Sequence, residues 1–130
     1  MEKSKKDLKL LFVNACLRPG GYTKNLPVGL ASVMTYLDMK GYGFTLLDID
    51  INEYDDVYVE NYIKTNKFDF VLCGTIVTHY KWIKWFVNMV KKHQPNACSI
   101  TGNCSYLNCF KISVCLATSS GLFPSPNSII

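Results

Sequence analysis

Apolar residues follow two rhythms along this chain. Short continuous runs alternate with longer stretches in which apolar side chains recur every three or four positions. The runs are LKLLFVNA at residues 8–15, GFTLLDID at 43–50, FDFVLCGTIVT at 68–78 and ACSITGN at 97–103. A run without polar alternation predicts a strand buried on both faces, as in a parallel sheet. Between the first two runs, Leu30, Val33, Met34 and Leu37 recur at i, i+3, i+4 and i+7, one face of an amphipathic helix. Pro27 suits the first turn of that helix and Gly41 its C-terminal cap. NEYDDVYVENYIKTNK at 52–67 predicts a second helix, with acids in its first turn and a thin stripe of Val59, Tyr62 and Ile63. HYKWIKWFVNMVKKH at 79–93 predicts a third, ended by Pro95.

Strand and helix alternate three times, which predicts an α/β, doubly wound (Rossmann-like or flavodoxin-like), mostly parallel sheet in three layers. Ligands of such sheets bind beyond the carboxyl ends of the strands. The residues to watch are therefore 14–22, 48–52, 74–79 and 101–103. The third helix carries an apolar arc wider than docking on one sheet requires. Ile83, Phe86, Val87 and Val90 suit the sheet, which leaves Trp82, Trp85 and Met89 as a flank. Either a neighbouring helix or the tail covers that flank, or another domain or subunit docks there. Residues 1–103 form the expected domain. From 104 the character changes: the segment has no acid, one lysine, three cysteines and a Ser/Pro-rich end. FKISVCLAT at 110–118 is a candidate fifth strand, no amphipathic helix follows it, and the α/β domain is expected to be incomplete at its C-terminus.

With 130 residues, 48% hydrophobic and 13% aromatic, the chain suits one domain with a real core. No apolar run reaches the length of a membrane span, and the basic start reads as a charged entry to the first strand rather than a leader. A cytoplasmic protein without membrane partners is the default reading. The net charge of +4 is unevenly spread: all ten acids lie at or before Asp69, and five lysines follow it. Lys81, Lys84, Lys91 and Lys92 on the third helix would suit nucleic acid, but a solvated helix face is the favoured reading. Six cysteines without a Cys-x-x-Cys, and only two histidines, give no zinc pattern. Cys16 and Cys73 read as small hydrophobes at strand ends.

No Gly-x-Gly-x-x-Gly or Gly-x-x-x-x-Gly-Lys-Ser/Thr follows the first strand, so the usual phosphate cradle is missing. Cys73 and His79 are close in sequence, but a strand-buried Cys73 makes a poor nucleophile, and no catalytic residue is assigned. What remains is a set of small and hydroxyl residues at strand ends: Gly74, Thr75, Thr78, Thr101 and Gly102. Small residues let a bulky ligand approach the backbone, and hydroxyls can bond its polar edge.

These features carry a resemblance. LPVGLASVMTYLDMKGYGFTLLDID, followed by FDFVLCGTIVTHYKWIKWFVNMVKKHQPNACSITGN, resembles the N-terminal cobalamin-binding domain of B12-dependent radical SAM proteins. The likeness lies in a Pro-x-Gly-Leu helix start, an Asp at the end of the second strand, and a third strand of the type Asp-hydrophobic-hydrophobic-Gly-x-Ser ending in Thr. A fourth strand ending in Gly-Gly completes it. The match spans residues 8–103 and rests on order and spacing. Gly74 stands where these domains often have Ser, and Thr101-Gly102 stands for Gly-Gly. The Asp-x-His-x-x-Gly motif of other B12 domains is absent, so the resemblance implies cobalamin bound without a protein histidine on cobalt. It implies Asn14, Gly74, Thr75, Thr78, Thr101 and Gly102 as cofactor contacts. It also implies a docking role for Trp82, Trp85 and Met89 against a radical SAM domain. The Cys-x-x-x-Cys-x-x-Cys of an iron–sulfur cluster is missing from this chain. The cluster, S-adenosylmethionine and methyl transfer or a related reaction belong only to a complete parent protein. A cofactor-free interaction domain that keeps the fold is the rival reading, and a basic nucleic-acid binder ranks below it.

Overall fold

The computed structural model describes residues 4–16, 18–74 and 80–102, with Thr101 and Gly102 by their backbone alone. It contains β1 (Leu10–Asn14), α1 (Val28–Met39), β2 (Phe44–Asp48), α2 (Ile49–Asn52), α3 (Asp56–Thr65), β3 (Phe70–Gly74), α4 (Tyr80–His93) and β4 (Cys98–Gly102). The four strands form one parallel sheet in the order β2-β1-β3-β4. The α/β doubly wound class expected from the alternation is thus the observed one, and the order matches the first four strands of the flavodoxin-like arrangement.

β1 is central and buried at every position. Its side chains alternate between two cores, as a pleated strand requires. Leu10 and Phe12 join Phe70 and Leu72 under Leu30, Val33 and Leu37 of α1. Leu11 and Val13 join Val71 and Cys73 under α3 and α4, which contribute Val59, Ile63, Ile83, Phe86, Met89 and Val90. Helices therefore cover both faces of the sheet.

The ends of α1 follow from local chemistry. Pro27 is the N-cap rather than a first-turn residue, and its carbonyl accepts the Ala31 N–H at 3.0 Å. At the other end, Gly41 has φ +82°, the left-handed conformation that glycine adopts without strain. Its N–H donates to the Asp38 carbonyl at 2.9 Å, while the Tyr42 N–H donates to Leu37 at 3.0 Å. That pair of bonds is a Schellman motif, and Tyr42 packs on the core that contains Leu37.

Three expectations need correction. GFTLLDID is not a strand buried on both faces: β2 ends at Asp48 and lies at the sheet edge, with Leu46 36% exposed. The reason is coverage, because α1 packs chiefly against β1 and β3, so Phe44 of β2 reaches the core on that face while Leu46 stays exposed. Ile49 and Asp50 belong to α2 instead, because the Asp48 side chain caps that turn by accepting the Ile51 N–H at 3.1 Å. The stretch at 52–67 accordingly starts its helix only at Asp56, where Asp55 caps the Tyr58 N–H at 2.8 Å. Finally, Met89 is buried at 5% and belongs to the core, whereas Val87 is half-buried. The buried face of α4 is rotated toward α3, which it meets through Trp82–Asp56 and His93–Glu60. Residues 110–118, proposed as a fifth strand, lie outside the described residues.

Candidate functional site

Parallel register aligns the carboxyl ends of the strands. Asp48, Asn14, Gly74 and Gly102 are partners in one row across the sheet, and Thr101 pairs with Cys73 one step below. The chain leaves β1 into a long loop before Pro27. A turn at Arg18–Gly21 shapes that loop: Pro19 precedes Gly20 at φ +73°, and the Gly21 N–H donates to the Arg18 carbonyl at 3.0 Å. This is the type II pattern of proline followed by glycine.

On the β1–β2 side the row is a closed polar network. Asn14 is 2% exposed, and its amide donates to the Asp48 carboxylate at 3.0 Å and to the Asn25 carbonyl at 3.3 Å. Asp50 is 7% exposed and accepts the Asn25 N–H at 3.1 Å. Two neighbouring carboxylates thus hold the loop from both ends. Lys24 crosses to Glu53 at 2.7 Å, and the Glu53 carboxylate raises the lysine pKa. The Cys16 thiol lies beside Asp50. Burial first, and then the hydrogen bond to that carboxylate, push its pKa up, so Cys16 stays a thiol at neutral pH.

On the β3–β4 side the row is bare backbone. Gly74 and Gly102 end adjacent strands without side chains. A Cβ built on Gly74 would meet Leu30 at 3.7 Å, an ordinary contact, so Leu30 forms an apolar wall there. The Cys73 thiol is buried and donates to the Gly74 carbonyl at 3.5 Å.

The structure therefore brings Asn14, Gly74 and Gly102 together in one row, with Thr101 adjacent in register. It gives Asn14 a structural duty, because both bonds of its amide are internal. Thr75 and Thr78 lie outside the described residues. Of the flank Trp82, Trp85 and Met89, only the two tryptophans retain surface. Trp82 stacks on Phe86 with ring centroids 5.1 Å apart and donates to Asp56 at 3.0 Å, so α3 covers part of it.

The amino end of the sheet holds features that the sequence reading passed over. A cleft of about 500 Å³ is lined by Lys9, Lys64, Lys67, Phe68, His93 and Gln94 among others. A second, of about 350 Å³, shares Lys9, Lys67 and Phe68 with it and adds Lys6. Gln94 locks this end: its amide donates to the Ile63 and Asn66 carbonyls at 2.6 Å each, and its oxygen accepts the Phe68 N–H at 2.8 Å. The signal was legible in part. Lys9 and Lys67 sit just before strands of a parallel sheet, and such positions must share one edge.

Compared with known proteins, the chain matches no family model, no curated protein and no solved structure.

Proposed function

We propose that this domain binds a flat, mostly neutral ligand across the carboxyl ends of β1, β3 and β4, and that the ligand is a corrinoid. The carrying observation is the in-register row Asn14–Gly74–Gly102 at the point where strand order reverses between β1 and β3. The residues present fit such a group in two respects. Gly74 and Gly102 put no side chain over the strand ends. Leu30 offers an apolar wall 3.7 Å from where a Gly74 methyl would be. In this reading the cofactor's role is to supply methyl transfer or radical chemistry when paired with a radical SAM domain. This chain's own residues hold the ring and exclude water beneath it.

The rival reading, a cofactor-free interaction domain, is favoured by one observation: the Asn14 amide is spent on internal bonds. Purified protein mixed with hydroxocobalamin and freed of excess separates the two. The cobalamin reading predicts retained corrinoid absorbance at one equivalent, lost in Gly74→Phe. A folded sample that retains none would leave the interaction domain standing.

A further inference from the structure

Among the described residues, the amino edge of the sheet is a cationic, cleft-bearing feature that the corrinoid reading leaves without a role. Its two adjoining clefts are lined by Lys6, Lys9, Lys64 and Lys67, with Asp69 as the carboxylate among their lining residues. Part of this charge has an internal explanation. Lys64 and His93 lie in the last turns of α3 and α4, where the helix dipole favours cations, and both pair with Glu60, at 3.4 and 2.9 Å. Lys6, Lys9 and Lys67 lie in no helix. Among the described residues their ammonium groups form no ion pair, and the Asp69 carboxylate accepts the Lys9 backbone N–H at 2.9 Å. Like charges gathered along two adjoining clefts repel one another unless an anion sits between them.

We infer that this edge binds a small phosphorylated molecule. Lysine ammonium groups serve as point-charge donors to phosphate oxygens. Phe68 lines both clefts and stacks on Tyr62 with ring centroids 6.1 Å apart, which gives the uncharged part of the ligand an apolar floor. A volume of about 500 Å³ is of the size that small-molecule sites occupy. The cleft is closed at its back by Gln94, so its shape is fixed by the three bonds of that side chain. The site is at the opposite end of the sheet from the strand ends that carry the corrinoid reading, and it stands or falls independently of it.

The test is calorimetric titration of the full chain with adenosine triphosphate and with inorganic pyrophosphate at low ionic strength. One saturable site is expected for each, with at least tenfold weaker binding in Lys9→Ala/Lys67→Ala. Lys81→Ala/Lys84→Ala, on the outer face of α4, is the control and should bind as the unaltered protein does. Circular dichroism verifies that both variants fold, which is expected because all four side chains are exposed. No saturable binding, or equal weakening by both pairs of substitutions, would overturn the inference. So would a single-stranded oligonucleotide that binds more tightly than either probe with a length-dependent stoichiometry, because the edge would then be a nucleic-acid surface.

Discussion

At the carboxyl end of the sheet, Asp48, Asp50 and Glu53 surround Asn14, Asn25 and one lysine, Lys24. At the amino end, Lys9, Lys64 and Lys67 line one cleft with Asp69, and Lys6 lines the adjoining one. Some of this polarity is helix chemistry. Asp55 and Asp56 stand at a helix start, and Lys64 and His93 at helix ends. Subtracting those residues leaves two unlike remainders. The carboxyl end keeps a self-satisfied network beside a bare glycine row. The amino end keeps three lysines with no internal partner among the described residues. A network that satisfies itself is architecture, whereas lysines gathered along a cleft are available to an anion from solution.

The comparison can be broken most sharply at Gln94. It is 8% exposed, and Gln94→Leu strips partners from the Ile63 and Asn66 carbonyls and the Phe68 N–H. A loss of about 3 kcal/mol is expected from three unmade bonds at a buried position, read as a shifted urea midpoint with unchanged slope. A loss below about 1 kcal/mol would mean that the amino end is not rigidly closed. Next comes Asn14→Ala, expected to cost about 2 kcal/mol because the buried Asn14 amide loses its bonds to the Asp48 carboxylate and the Asn25 carbonyl. Unchanged stability with lost cobalamin retention would reverse the assignment and make Asn14 a ligand contact. The smallest effect concerns pH. The His93 hydrogen bond first, and that from Lys64 second, hold the Glu60 carboxyl below its ordinary value. A lowered folded-state pKa contributes stability that is complete above the ordinary carboxylate value and is lost as pH falls through the folded value. Glu60→Gln should therefore flatten the decline of melting temperature below about pH 4.3. An unaltered acid limb would show that Glu60 is unpaired in solution.

The fold was legible wherever apolar runs sit under helices on both sides. LKLLFVNA and the Phe70–Gly74 stretch became central strands because α1 covers one face and α3 and α4 the other. GFTLLDID misled because hydrophobicity records what a strand is able to bury, whereas coverage at a sheet edge depends on where distant helices land. Met89 misled for a related reason: helical period does not reveal that α3 lies beside α4. Of the site, the strand-end row was legible from the alternation of elements alone. The bonds that commit Asn14 were not, since Asn25 and Asp48 meet it only through the loop and the parallel register. The lysine edge was hidden by dispersal, because Lys6, Lys9, Lys64 and Lys67 are neighbours only after β1 and β3 pair.

The central claim is that the carboxyl edge of the sheet holds the corrinoid and the amino edge does not. Titrating uniformly ¹⁵N-labelled protein with hydroxocobalamin tests it residue by residue. The account predicts saturating amide shifts at Asn14, Asn25, Gly74 and Gly102, with Lys9, Phe68 and Asn96 unmoved. Shifts confined to the amino-edge residues, or none at a cobalamin excess over folded protein, would contradict it.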